Sequence, residues 1–189
     1  SDGTNRFYLD NEETGELYGE FIGKELVEVT RRMFPLSTLR EETVIAGISM
    51  GGFGAIRNGL KYADTFGAVI GHSSALITDE VSAMLPGTGN AIAPYSFYRH
   101  TFGDLGKLLG SDKDPKHLAQ TCLSGGESIP RLFVACGSED FLFQQNCDFH
   151  EYLVSIGYPH EWWVKPGIHD FDFWNQSMQA SMDWLMKSK

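Results

Sequence analysis

The 189-residue sequence predicts an α/β fold on a doubly wound, mostly parallel sheet, and three observations predict it. Four short segments, TVIAGIS (Thr43 to Ser49), FGAVIGHS (Phe66 to Ser73), RLFVACG (Arg131 to Gly137) and EWWVK (Glu161 to Lys165), are apolar throughout rather than alternating. Continuous apolar character marks strands buried on both faces, as in parallel sheets. Helical stretches alternate with these segments, the grammar of strand-helix crossover units. Finally, no repeat, low-complexity tract or Pro/Gly/Ser linker divides the chain, whose length suits one domain over residues 1–189.

Taken in order, the first element is a helix. Tyr18, Ile22, Leu26, Val29 and Met33 recur every three or four residues, with Glu20, Lys24, Glu25, Glu28, Arg31 and Arg32 between them, and the pattern stops before Pro35. TVIAGIS then runs into MGGFGAIRNGLKYA, a buried strand feeding a sharp turn and a helix. FGAVIGHS is the second strand. RLFVACG is the third, followed by a helix over about Phe143 to Ile156. EWWVK leads through Pro166 and Gly167 to a last helix on which Trp174, Met178 and Leu185 share a face. Between the second and third strands, about residues 76–130 form an excursion with the aromatic cluster Tyr95, Phe97, Tyr98 and Phe102. It is expected to cap the carboxyl ends of the strands, where open α/β sheets place their sites.

Composition narrows the function classes. Fifteen Lys and Arg against 25 Asp and Glu leave a net charge of −10, which repels phosphate backbones and anionic bilayers, so neither nucleic acid nor membrane is an expected partner. No apolar run approaches the ~18 residues a bilayer span needs. The opening SDGTNRFYLDNEETGE has no basic start or apolar stretch, which points to the cytoplasm. Cys122, Cys136 and Cys147 are odd in number and lack C-x-x-C spacing, so reduced thiols are expected rather than disulfides or structural zinc. Metal catalysis is not expected either, because no H-E-x-x-H-like spacing occurs.

The strongest chemical signal is Gly47-Ile48-Ser49-Met50-Gly51, a G-x-S-x-G at a strand-to-helix junction. A turn tight enough to lift Ser49 above the sheet leaves no room beside it, hence the flanking glycines; Gly52 and Gly54 are expected to let the helix approach the sheet. The Met50 N–H, at the helix start, would face an oxyanion formed when Ser49 attacks a carbonyl. A serine hydroxyl needs a base to become nucleophilic. Nucleophile, acid and histidine follow in that order in sites of this type. Ser138-Glu139-Asp140 follows the third strand and Pro166-Gly167-Ile168-His169 the fourth, both on the edge that carries Ser49. Among six histidines, His169 is the expected base; His100, His117, His150 and His160 read as surface or packing residues, with His160 just before its strand. Of the adjacent acids, Asp140 is favoured over Glu139 for its shorter reach, and Asp170 is read as a loop or capping residue. His72, Tyr95 and Phe141 are candidates for lining a substrate pocket.

With these residues in view, the chain resembles the esterase D and tributyrin esterase-like branch of the α/β-hydrolases, related to feruloyl and acetylxylan esterases and S-formylglutathione hydrolases. The resemblance rests on GISMGGFGAIRNGL, CGSEDFLF and PGIHDFDFW, and extends to the opening SDGTNRFY and the helix ending RRMFP. It implies a cofactor-free carboxylic-ester hydrolase with Ser49, Asp140 and His169 as its triad; the leading reading is a serine esterase for small short-chain or aryl esters, working through an acyl-enzyme, with the aromatic excursion supplying an apolar pocket. The family begins with further strands and a His-Gly loop that donates a second oxyanion N–H; no such segment precedes Ser1, so the expected fold is an N-terminally truncated α/β-hydrolase. The nucleophile strand is then expected to have an open edge, covered by a second copy in a homodimer or by a companion N-terminal segment. Thioester hydrolysis or acyl transfer is the neighbouring alternative. A weakly active remnant serving as a binding or assembly module is the alternative of another class.

Overall fold

The computed structural model describes residues 6–11, 13–126 and 129–187. Part of the SDGTNRFY match and two residues of the excursion therefore lie outside the described residues. Strands β3 (Val44–Ile48), β4 (Ala68–His72), β5 (Arg131–Gly137) and β6 (His160–Lys165) form one sheet in sequence order, every neighbour parallel. A two-residue hairpin, β1 (Asp10–Asn11) with β2 (Glu16–Leu17), precedes it and was not anticipated. The crossovers are α3 (Met50–Lys61), the excursion with α4 (Thr78–Ser82), α5 (Tyr95–Phe102) and α6 (Pro115–Gly125), and α7 (Phe143–Ile156); α8 (Phe171–Met186) ends the fold. His160 opens β6 rather than preceding it. Among the described residues no helix is long and apolar enough to cross a membrane.

The continuous apolar runs are explained by two cores. Val69, Leu132 and Val134 pack on the α3 face with Phe53, Ile56, Leu60, Phe149 and Leu153. Ile70, Phe133 and Ala135, the alternate residues, pack on the other face against Trp163, Ala180, Trp184 and Leu185. Each strand thus serves both sides, as the doubly wound pattern requires. A second consequence concerns the excursion. Tyr98 and Phe102 are buried with Phe7 and Phe53, so half of its aromatic cluster builds core instead of a pocket.

The first predicted helix forms as α1 (Tyr18–Glu20), a π-helical segment (Phe21–Glu25) and α2 (Leu26–Met33). Gly23 sits in the widened turn because a Cβ there would strike the Tyr62 ring. Much of the helix's expected buried face is exposed: Leu26, Val29 and Met33 look outward with Val44, Leu36 and Leu39. The physical reason is that the sheet ends at β3 among the described residues. Beside that free edge lies an apolar groove between α2 and α8, with Ile45, Ile48, Met178 and Met182 in its walls.

Candidate active site

β3 ends at Ile48 and α3 begins at Met50, so the whole change of direction falls on Ser49, which has φ 56° and ψ −119°. A non-glycine residue in such a region costs on the order of 1–3 kcal/mol and persists only where its surroundings impose it. Here they do. The Ser49 N–H donates to the His72 carbonyl (2.9 Å), and the Ser49 carbonyl accepts from Phe53 (3.1 Å) and Ala75 (3.0 Å). A Cβ on Gly47 would run into the Gly51 carbonyl, which explains the first glycine of the motif. The second is different: a Cβ on Gly51 would meet only Tyr8, at 3.9 Å. Gly52 does allow the helix to close on the sheet, at Ser74 and the His72 carbonyl, whereas Gly54 makes room for Tyr8. As the first residue of α3, Met50 has an N–H with no carbonyl one turn earlier to bond.

The acid and histidine loops leave neighbouring strands β5 and β6 at their carboxyl ends, beside Ser49. His169 Nδ1 lies 2.8 Å from Asp140 Oδ2 and 3.0 Å from Oδ1, and its Nε2 lies 2.9 Å from Ser49 Oγ. The Asp140 side chain is buried. Burial by itself would raise its pKa, but hydrogen bonds from His169, the Leu142 N–H and Ser73 outweigh it and hold the carboxyl below its ordinary value. An ionised Asp140 accepts only, so Nδ1 carries the imidazole proton and the Nε2 lone pair faces the Ser49 hydroxyl, which donates to it. Glu139 turns away, toward Gly167. Asp170 caps α8 by accepting from the Phe173 N–H (2.9 Å).

The other candidates fall elsewhere. His72 is 2% exposed, packs near Phe133 and faces the edge groove; its Nδ1 is buried without a partner among the described residues, and burial pushes its pKa down to about 4. Tyr95 packs half-buried against the main core. Phe141 is 63% exposed with its ring 4.6 Å from the His169 ring, and so borders the site directly. His100 and His117 are exposed, and His150 and His160 hydrogen-bond each other at 2.7 Å. Sequence reasoning missed Ser73 and Trp174. Trp174 Nε1–H donates to Ser73 Oγ (3.2 Å), Ser73 hydrogen-bonds Asp140, and the Trp174 ring meets His169 edge to face at 5.0 Å. Ser73 stands just past the carboxyl end of β4, the position that flagged the other loops, and that signal was available.

A serine on a strained strand-to-helix turn, reached by a histidine from a later loop of the same parallel sheet, defines a serine hydrolase of the α/β-hydrolase class. Comparison with known proteins agrees. The family described as "Putative esterase" matches residues 2–185. An acetyl esterase of Caldicellulosiruptor saccharolyticus is 45% identical over 185 residues, 98% of this chain and 70% of that protein. Among solved structures, the fluorophosphonate-binding serine hydrolase F of Staphylococcus aureus superposes with TM-score 0.77 at 30% identity, over 90% of this chain and 64% of that one. An S-formylglutathione hydrolase from the same organism gives TM-score 0.78 at 29% identity, over 95% and 68%. The chain therefore spans about two thirds of the length of these solved relatives. The chain belongs to that esterase family and is a carboxylic-ester hydrolase.

Proposed function

We propose that Ser49, His169 and Asp140 carry the ester hydrolysis of this family in this chain, on esters with short acyl groups. The observation that supports this reading most directly is the unbroken line from Asp140 through both imidazole nitrogens to the Ser49 hydroxyl. Ser49 Oγ attacks the acyl carbon while His169 Nε2 takes its proton; the tetrahedral oxyanion faces the Met50 N–H. His169 then gives the proton to the leaving oxygen, an acyl-serine forms, and water repeats the steps in reverse. Because the leaving oxygen takes its proton from His169, the alcohol part of the ester sits on the histidine side. That side is bordered by exposed Phe141, whose ring lies 4.6 Å from the His169 ring, an apolar surface suited to alkyl or aryl alcohols. The short acyl group is supported by the acetyl esterase relative. A thioester such as S-formylglutathione is the second reading, favoured by the S-formylglutathione hydrolase structure.

The working protein is further proposed to cover the free edge of β3, with a second copy or a companion N-terminal segment. Val44, Ile45 and Ile48 supply none of the charges or prolines that usually protect an edge, and the groove beside them is apolar. Free cysteines support a cytoplasmic setting, and residues 1–189 are read as one domain, its excursion acting as a cap. One experiment addresses both parts. A fluorophosphonate probe is expected to label Ser49 at neutral pH, Ser49→Ala to lose the label, and the labelled species to elute from gel filtration above monomer size or with a companion fragment. Labelling that persists in Ser49→Ala would remove the nucleophile assignment, and a stable labelled monomer would remove the covered edge. Acetyl against butyryl p-nitrophenyl esters and S-formylglutathione then rank the substrates.

A further inference from the structure

We infer that Glu139 is a positioning residue, whose carboxylate locks the histidine loop onto the acid loop so that His169 spans the distance between Asp140 and Ser49. The inference rests on the triad reading above. β5 and β6 pair through Gly137 and Lys165, and beyond that point the loops remain joined instead of diverging. The Ser138 N–H donates to the Lys165 carbonyl (3.0 Å) and the Glu139 N–H to the Gly167 carbonyl (3.0 Å). The Gly167 N–H donates in return to Glu139 Oε2 (2.5 Å), while the Ser138 hydroxyl donates to Oε1 (2.7 Å). Glu139 and Gly167 thus exchange a reciprocal pair of hydrogen bonds, and both carboxylate oxygens are used.

Two features make this more than a surface contact. Among the described residues Glu139 has no ion-pair partner, so its charge is committed to two neutral donors on the site's own loops, and those bonds hold its carboxyl below the ordinary value. Gly167 is also confined on its other sides: a Cβ on Gly137 would strike the Gly167 carbonyl, and a Cβ on Gly167 would strike the Phe173 ring. The segment two residues before His169 is therefore held by Glu139, by the backbone at Gly137 and by Phe173. Glu139 touches none of the reacting atoms. Its effect reaches the chemistry through the placement of the imidazole, for which a shift of about 1 Å costs on the order of 100-fold.

The test compares Glu139→Ala, Glu139→Gln and Ser49→Ala by steady-state hydrolysis of p-nitrophenyl acetate, with thermal unfolding as the control for folding. Glutamine keeps an oxygen that accepts from Gly167; alanine does not. Glu139→Ala is expected to lower kcat about 10- to 100-fold with KM within about twofold, as a misplaced base predicts, and Glu139→Gln to restore kcat to within about threefold of the parent. Glu139→Ala within twofold of the parent, while Ser49→Ala is inactive, would overturn the positioning role and leave the triad standing. Equal losses in Glu139→Ala and Glu139→Gln would also overturn it, because the acceptor would then be irrelevant. Activity surviving in Ser49→Ala would instead defeat the triad reading.

Discussion

Replacing Asp140 by asparagine exchanges one carboxylate oxygen for an NH2 group and, from the contacts present, reverses the hydrogen-bonding sense of the whole line. Oδ1 accepts from the Leu142 N–H at 2.9 Å, and an asparagine there keeps its oxygen in that place. The amide NH2 then occupies the position of Oδ2, 2.8 Å from His169 Nδ1, and donates to it. The nearer partner of Nδ1 is then a donor, which favours the tautomer with the proton on Nε2, 2.9 Å from Ser49 Oγ, where it can no longer take the hydroxyl proton; Oδ1, 3.0 Å from Nδ1 and already accepting from Leu142, is left as the weaker acceptor. Turning the amide over would restore the tautomer only by setting NH2 against the Leu142 N–H, a buried donor clash that costs about 1–3 kcal/mol, and would still leave the His169 imidazolium of the transition state without a carboxylate beside it. The expected result is a fall in kcat/KM for p-nitrophenyl acetate of about 10³–10⁴-fold, the range seen when a triad acid is neutralised. At 1.36 kcal/mol per tenfold this is about 4–5.5 kcal/mol of transition-state stabilisation. Fluorophosphonate labelling should slow in parallel, with the thermal midpoint little changed. An Asp140→Asn protein that keeps a tenth or more of the parent activity would show that the tautomer is not under Asp140's control.

Two further outcomes follow from other parts of the fold. His72 holds a proton in the unfolded chain below about pH 6.5 but, with a folded value near 4, not in the native state until well below that, so stability is full above 6.5 and falls as pH drops toward 4. The 2.5-unit difference corresponds to about 3 kcal/mol at 1.36 kcal/mol per unit. Urea unfolding at pH 7 and pH 4.5 should show much of that loss in the parent and a flatter profile in His72→Gln; identical slopes would count against the buried neutral imidazole. At the elbow, Gly47→Ala must push the Gly51 carbonyl aside, and labelling at Ser49 is expected to slow by about 100-fold or more. Gly51→Ala meets only Tyr8 at ordinary contact distance, so its labelling rate should stay within about threefold of the parent. Equal effects at the two glycines would mean that the turn is not built as described.

Much of this molecule was readable along the chain. The four strands and most of the helices declare themselves because continuous apolar runs and three-to-four-residue periodicity are local consequences of burial. Gly47 beside Ser49 declares the elbow because that steric constraint spans only a few residues. Chain order and position at strand ends also pointed to His169 and to the pair Glu139-Asp140, with reach favouring Asp140. Other features depend on partners that no local pattern names. Which of two adjacent acids faces the imidazole was settled by Gly167, 28 residues away, which draws Glu139 outward. Phe102 belongs to the core because Phe7 and Phe53 meet it there, and Tyr98 follows by packing on Phe102, although their spacing suited a pocket equally well. Ser73 and Trp174 support the acid and the histidine across 101 residues of chain. Helix α2 shows the same limit from the other side: amphipathic spacing records that a face is built for contact, but whether anything covers it depends on how far the sheet extends, and β3 is its last strand among the described residues.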